Sequence, residues 1–194
     1  QYRAFGQYFR FGNRREGDLE YVRALADEFG YAVAPTPTCE VGGERISSTR
    51  IRKALGQADF EAATRLLGRP FEMSGRVQHG QKLGRQLDTP TANIALQRMR
   101  SPLQGVYVVS VSGAGMREVA GVANVGVKPT IGSSLEATLE AHVLEGSPDL
   151  YGQRLTVRFV HKLRDEKKFP SLDALKAGIA ADKANARAWL RNHG

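Results

Sequence analysis

The sequence predicts an α+β chain: a helix-rich segment of α/β character up to about Gly68, then a small closed β-barrel followed by one long helix. Three observations carry this. Before Gly68, apolar residues recur at helical spacing between capping residues, with one apolar run that reads as a strand. From Phe71 the period drops to two, in short strands set between glycine-rich turns. From Ser171 the helical period returns.

Asp18 to Phe29 is expected to be helical, with Leu19, Val22, Leu25 and Ala26 on one face and Gly30 as its stop. Tyr31 to Ala34 reads as a strand closed by Pro35 and Pro37. Ser47 or Ser48 can cap a helix running through Leu55, which Gly56 can end. Asp59 can start another through Leu67, before Gly68-Arg69-Pro70. One clear strand does not make a parallel sheet, so this part reads as the tail of an α/β domain whose beginning is missing. In the second part the clearest strands are Gly105 to Val111, Val119 to Val125, Thr138 to Leu144 and Arg154 to Val160. In the last of these, Leu155, Val157 and Phe159 face one way while Arg154, Thr156 and Arg158 face the other. The final helix, Ser171 to about Leu190, aligns Leu172, Leu175, Ile179, Ala186 and Trp189 and is expected to plug or flank the barrel.

Composition narrows the function classes. The chain has 194 residues, 41% apolar and 25% charged, as in soluble globular proteins of one large or two small domains. No apolar run approaches a membrane span, and no signal-peptide pattern opens the chain. Cys39 is the single cysteine, which excludes an intrachain disulfide, leaves a multi-cysteine zinc site unsupported and makes the cytoplasm the natural compartment. A net charge of +8 and a pI of about 9.9 suggest an anionic partner. Residues 1–69 carry 11 Lys+Arg against 9 Asp+Glu, and residues 70–194 carry 17 against 11, so the excess lies mostly in the second part. A nucleotide, a nucleic acid or solubility alone would each account for it.

The most informative segment runs from Gly75 to Arg85 and ends in Pro90-Thr91-Ala92-Asn93-Ile94. Glycines admit backbone amides close to an anion, and Lys82 and Arg85 add positive charge. Thr91 and Asn93 stand two residues apart, so on a strand both oxygens share one face, where they can hold a nucleotide's Mg²⁺ beside its phosphates. A basic surface hairpin is the ordinary alternative, and the segment is no Walker A loop, which needs Gly-Lys-Ser/Thr opening a helix. In Thr138-Leu139-Glu140-Ala141-His142-Val143, the polar side chains share a face opposite Leu139, Ala141 and Val143. Glu140 there can accept a substrate hydroxyl's proton during phosphoryl transfer, or can simply be solvated. Gly121 to Thr130 runs a strand into a Gly/Pro turn where Asn124 or Thr130 could line a site, although a structural turn is the more ordinary reading. Leu163-Arg164-Asp165-Glu166-Lys167-Lys168-Phe169 reads as a solvated loop whose Arg164 can alternatively pair with an acid or stack on a planar ligand. Ser47-Ser48-Thr49-Arg50-Ile51-Arg52 offers hydroxyls and two arginines at a helix start, fit either for phosphate or for plain capping.

Taken together and in this order, these segments resemble the bacterial bifunctional riboflavin kinase/FAD synthetase family over essentially the whole chain. The resemblance rests on Gly-Arg-Val-x-His-Gly, Gly-Arg, Pro-Thr-Ala-Asn-Ile, the Asn124 to Thr130 turn, Glu140-x-His142, Asp149-Leu150-Tyr151-Gly152 and Leu163-Arg164-x-Glu166 with Phe169. It implies a six-stranded, Greek-key-like antiparallel riboflavin kinase barrel with a C-terminal helix over residues 69–194. Before it, over residues 1–68, it implies the C-terminal part of a Rossmann-like FMN adenylyltransferase domain. In such a kinase Gly75, His79, Gly80, Lys82, Gly84 and Arg85 would bind ATP and cover its phosphates. Thr91 and Asn93 would bind ATP and Mg²⁺, and Glu140 would be the catalytic base on the ribityl 5′-hydroxyl. Leu163, Arg164, Glu166 and Phe169 would border the flavin. ATP and riboflavin would react to give FMN and ADP.

Ser47, Ser48, Thr49, Arg50 and Arg52 match the adenylyltransferase's phosphate-binding motif, and Phe9-Arg10-Phe11-Gly12 a further late motif. The family's His-x-Gly-His site has no counterpart, because the only histidines are His79, His142, His161 and His193. Tyr8 stands where the family usually has Asp, and Asp88-Thr89 where its kinase loop usually reads Gly-Phe. The parent protein is therefore expected to make FAD, while this chain is expected to make FMN alone. The partners implied are small-molecule substrates, with no nucleic acid or membrane, for a monomer or weak homo-oligomer. Two rival readings are a basic nucleic-acid-binding barrel and an inactive flavin-binding fragment.

Overall fold

A computed structural model of the chain describes residues 2–78, 91–96, 101–129, 135–146 and 148–193. The chain forms two compact units, Gln1–Ser48 and Thr49–Gly194.

In the first unit, β1 (Tyr2–Gly6) pairs in parallel with β2 (Ala32–Thr36), joined through α1 (Leu19–Phe29). The β-strand at Tyr2–Gly6 escapes sequence reading because its residues are almost all exposed, so no alternation marks it. β2 also continues through Pro35, which lies opposite Phe5 in the pair. Asp18 caps α1 by accepting the Tyr21 amide at 3.0 Å, and Gly30 ends it in the left-handed conformation at φ 64°. A small hairpin of β3 (Glu40–Val41) and β4 (Glu44–Arg45) turns on Gly42 and Gly43, both at positive φ, as a two-residue hairpin turn requires.

The second unit opens with α2 (Ser48–Gly56) and α3 (Phe60–Leu67). Asp59 caps α3 through the Ala62 amide at 2.8 Å, and Gly68 stops it. Six strands follow: β5 (Glu72–Gln78), β6 (Ala92–Ala95), β7 (Gly105–Gly113), β8 (Met116–Pro129), β9 (Leu135–Val143) and β10 (Arg154–Arg164). They close an antiparallel barrel in the order β10-β5-β6-β9-β8-β7. The period of two sends Met73, Val77, Ile94, Val109, Ala123, Leu139, Leu155 and Val157 inward, all at most 3% exposed. Each of these side chains except the small Ala123 contributes about 1.5–3 kcal/mol by leaving water. At one end of the core Tyr107 and Phe159 meet edge to face at 5.4 Å, with Phe60 of α3 at 5.9 and 6.2 Å from them.

The C-terminal helix α4 (Leu172–His193) flanks the barrel instead of plugging it. Ala186, Trp189 and Leu190 pack on the outward residues Val106, Val108 and Val122. β7 is therefore buried on both faces, which explains its nearly unbroken apolar run. β8 runs on through Gly126 to Pro129, pairing with β9 down to Leu135, so this stretch is strand and not the start of a turn.

Candidate functional site

Register places the site. Asn93 on β6 lies opposite Glu140 on β9, and Glu140 lies opposite Asn124 on β8. The same row continues to Val106 on β7 and Arg164 on β10, and begins at Gln78 on β5. Paired residues share a face, and their neighbours in sequence (Ile94, Leu139, Val125) fill the interior, so the row lies on the barrel's outer surface. Glu140 thus has a carboxamide on each adjoining strand.

One step along the strands, Thr91 Oγ1 stands 3.3 Å from Nδ1 of His142, itself 7% exposed. One step the other way, Thr138 lies opposite Ala95 and Gly126. Gly126 has no side chain because the Glu166 carboxylate lies against it; a Cβ there would overlap that carboxylate. Asn93, Asn124, Glu140, His142, Thr91 and Glu166 are therefore gathered by three strands and the segment that leaves β10.

That segment is pinned to α4. Arg164 donates to both carboxylate oxygens of Asp182, from Nε at 2.8 Å and Nη2 at 2.7 Å, and Asp182 is only 5% exposed. Such a forked pair is both strong and directional. Phe169 fills the notch left by Gly178, one turn earlier on the helix, where a Cβ would strike its ring. The Arg164 guanidinium stands 5.7 Å above the Phe169 ring. Irregular pairing of β10 with β7 between Phe159 and His161, and again between Lys162 and Arg164, turns the strand's end toward this helix. Lys162 reaches Asp165 at 2.6 Å, and that hydrogen bond holds the Asp165 carboxyl below its ordinary range. Glu166 also borders a cleft of about 450 Å³ reached by Gly56, Gln104 and Lys162, which does not include Asn93, Asn124 or Glu140.

Of the residues singled out in the sequence, Thr91, Asn93, Glu140 and Glu166 come together on this face. Arg164 and Phe169 hold the adjoining segment to α4, and Leu163 packs into the apolar cluster beneath the helix. Gly75 is buried in β5, where its missing side chain admits the Ala95 carbonyl of β6. His79, Gly80, Lys82, Gly84 and Arg85 lie outside the described residues, as do Asp88, Thr89 and Thr130. Ser47 precedes α2, whose first turns carry Ser48, Thr49, Arg50 and Arg52.

Sequence reading offers Asn124 as a residue that could line a site but favours a structural turn from Gly126 on, and has no view of Asp182. Alternation through Val125, Gly126 and Val127 was the signal that β8 continues. The Arg164–Asp182 pairing has no local signature at all.

Comparison with known proteins follows the same outline. The family described as "Flavokinase: Riboflavin kinase" matches residues 67–190. A bifunctional riboflavin kinase/FMN adenylyltransferase of Pseudomonas fluorescens is 52% identical over 97% of this chain and 60% of its own length. One of the same description from Escherichia coli K12 is 46% identical over 96% of this chain and 59% of its own length. The chain thus spans about 60% of the length of these curated relatives. Among solved structures, a Streptococcus pneumoniae protein described as a macrolide-efflux protein superposes with a TM-score of 0.67 at 32% identity, covering 95% of this chain and 59% of that one.

Proposed function

This chain belongs to the riboflavin kinase family, and on that footing we propose that it transfers the γ-phosphate of ATP to the 5′-hydroxyl of riboflavin, giving FMN and ADP. The observation that carries the reading is the row Asn93–Glu140–Asn124: a carboxylate with amide neighbours on both sides, beside the segment holding Glu166. Phosphoryl transfer requires mainly positioning and charge stabilisation, with one group to take the hydroxyl proton. Glu140 takes that proton, and the barrel fixes its position from both adjoining strands.

The donor set fits a hard cation: Thr91 and Asn93 present neutral oxygens next to the Glu140 carboxylate. No group of three or more His, Cys, Asp or Glu able to hold a metal occurs among the described residues. Mg²⁺ usually takes one or two protein carboxylates together with waters and substrate phosphates, so Thr91 and Asn93 would serve beside the nucleotide's own oxygens. Mg²⁺ bound there supplies neutralisation of phosphate charge. Thr91 and Asn93 orient the nucleotide from one side of Glu140, and its phosphates are assigned to Gly80, Lys82, Gly84 and Arg85. Leu163, Arg164, Glu166 and Phe169 border the flavin from the other side, with Arg164 acting by fixing the segment on Asp182.

The division into an adenylyltransferase part at 1–68 and a kinase part at 69–194 belongs to the same proposal, as does FAD synthesis by a longer parent protein. The lone, exposed Cys39 supports a reducing, cytoplasmic setting. No helix among the described residues is long and apolar enough to cross a membrane. The nucleic-acid reading loses ground on aromatics: among the described residues of the barrel unit, the large exposed apolar side chains are Val127 and Leu172, neither able to stack a base. Incubation with riboflavin and Mg-ATP, followed by chromatographic separation of the flavins, tests the reading. FMN without FAD is the expected product; flavin binding without ADP release would leave only an inactive binder.

A further inference from the structure

The Oδ1 atom of Asn124 is buried and accepts no hydrogen bond among the described residues. Native structures leave few buried acceptors unpaired, because losing water without gaining a partner is costly. This one stands directly across from Glu140, on the side away from Asn93. It is two residues from Gly126, over which the Glu166 carboxylate lies. Its other cross-strand neighbour, Val106, is 3% exposed and has no donor to offer.

None of the described residues supplies a donor to it. Side chains opposite one another on paired strands stand about 5 Å apart at Cβ. A molecule presenting one hydroxyl to Glu140 therefore brings the adjacent carbon of a polyol within reach of Asn124. The residue type fits as well. A carboxamide accepts a hydrogen bond without charge, whereas a second carboxylate would raise the proton affinity of Glu140 by like-charge repulsion.

Building on the kinase reading, we propose that Asn124 is a specificity residue for the polyol chain of the substrate. It accepts a hydrogen bond from the hydroxyl next to the one that is phosphorylated, and so sets which hydroxyl meets Glu140. Nothing in this assignment concerns ATP, which Asn93 serves from the opposite side.

Three variants of the full chain test it: N124L, N124S and N124D. N124L removes the acceptor at nearly constant volume. Its riboflavin KM is expected to rise about tenfold, equivalent to about 1.4 kcal/mol, with the ATP KM unchanged. Its melting temperature should equal or exceed the wild-type value, because an unpaired buried acceptor has gone. N124S, which keeps a smaller acceptor, should recover part of the loss. N124D should move the acid limb of the kcat/KM–pH profile upward. A riboflavin analogue lacking the neighbouring hydroxyl should lose affinity for wild type and lose none for N124L.

An unchanged riboflavin KM in N124L, or a parallel rise of both KM values with a lower melting temperature, would overturn the assignment. Should N124L not fold, a wild-type riboflavin KM in N124S and an unshifted profile in N124D would do the same. If wild type itself makes no FMN, the kinase reading fails and takes this with it. If wild type makes FMN and the variants match it, the Asn124 assignment alone is lost.

Discussion

Two sectors of one barrel surface differ in what lies on top of them. Across β6 and β9 the outward row reads Asn93 and Glu140; across β7 it reads Val106. The inward residues beneath both sectors are of one kind, aliphatic and nearly free of solvent. In the second sector Val106, Val108 and Val122 lie under α4 and become a second core. In the first, the outward side chains are oxygens and nitrogens. Strand period decides which residues face outward; the element laid over them decides whether that face serves packing or chemistry. Asn124 stands at the seam, with Val106 on one side and Glu140 on the other.

The sharpest way to separate the sectors is E140Q, which removes the base and keeps the side chain's shape. Turnover should fall by about 10²–10⁴ while the melting temperature stays near wild type. Unchanged turnover in a coupled ADP assay would remove Glu140 from its role. Next comes D182A, aimed at the covered sector. It strands Arg164 without its carboxylate, and a broken buried pair costs about 3–5 kcal/mol. Chemical denaturation should show that loss, accompanied by weaker flavin binding; an unchanged midpoint would mean the pair does not hold the segment.

A milder change is G126A. The new methyl would meet the end of a flexible glutamate rather than backbone, so stability should change by no more than about 1 kcal/mol. Displacing Glu166 should nonetheless raise the riboflavin KM about threefold to tenfold, with the ATP KM steady. Equal riboflavin kinetics would take Glu166 out of the flavin side.

The smallest effect concerns His161, stacked on Trp189 at 5.0 Å, with His193 stacked on the same indole at 4.4 Å. Partial desolvation under the indole, and secondarily the charge of His193, lower its pKa below the ordinary value although the residue stays exposed. The unfolded chain then binds the proton more readily than the folded one. The stabilisation is present above about pH 6.5 and is lost as pH falls below that value through the lowered one. The melting temperature should drop slightly between about pH 7.5 and 5.5, and H161Q should flatten that part of the profile. An identical slope in the variant would assign the drop to other groups.

Much of the fold is legible because its signals are local. Asp18 with Gly30, and Asp59 with Gly68, mark α1 and α3 from both ends. A nearly unbroken apolar run marks β7, alternation marks β9 and β10, and the Thr91–Asn93 spacing marks a shared strand face. What escapes is what depends on distant partners. β1 carries no pattern because its residues are solvated on nearly every position. Gly126 reads as punctuation until Glu166, forty residues on in sequence, is seen lying on it. Arg164 reads as part of a solvated loop until α4 brings Asp182. Even the pairing of Asn93 and Glu140, each noticed separately, is a matter of register that neither segment encodes alone.

The order in which the barrel closes has a consequence in time. β10 pairs with β5 on one side and β7 on the other, so the last strand made is also the one that joins the first to the middle. Ser74 and Thr156, hydrogen-bonded across that seam, are 82 residues apart. During synthesis the strands bearing Asn93, Asn124 and Glu140 are complete well before the ring they belong to can shut. Such distant pairing is slow, since the chain's closure entropy must be met before the contacts form. A ribosome that stops short of β10 therefore releases a chain holding Asn93, Asn124 and Glu140 and no barrel to align them.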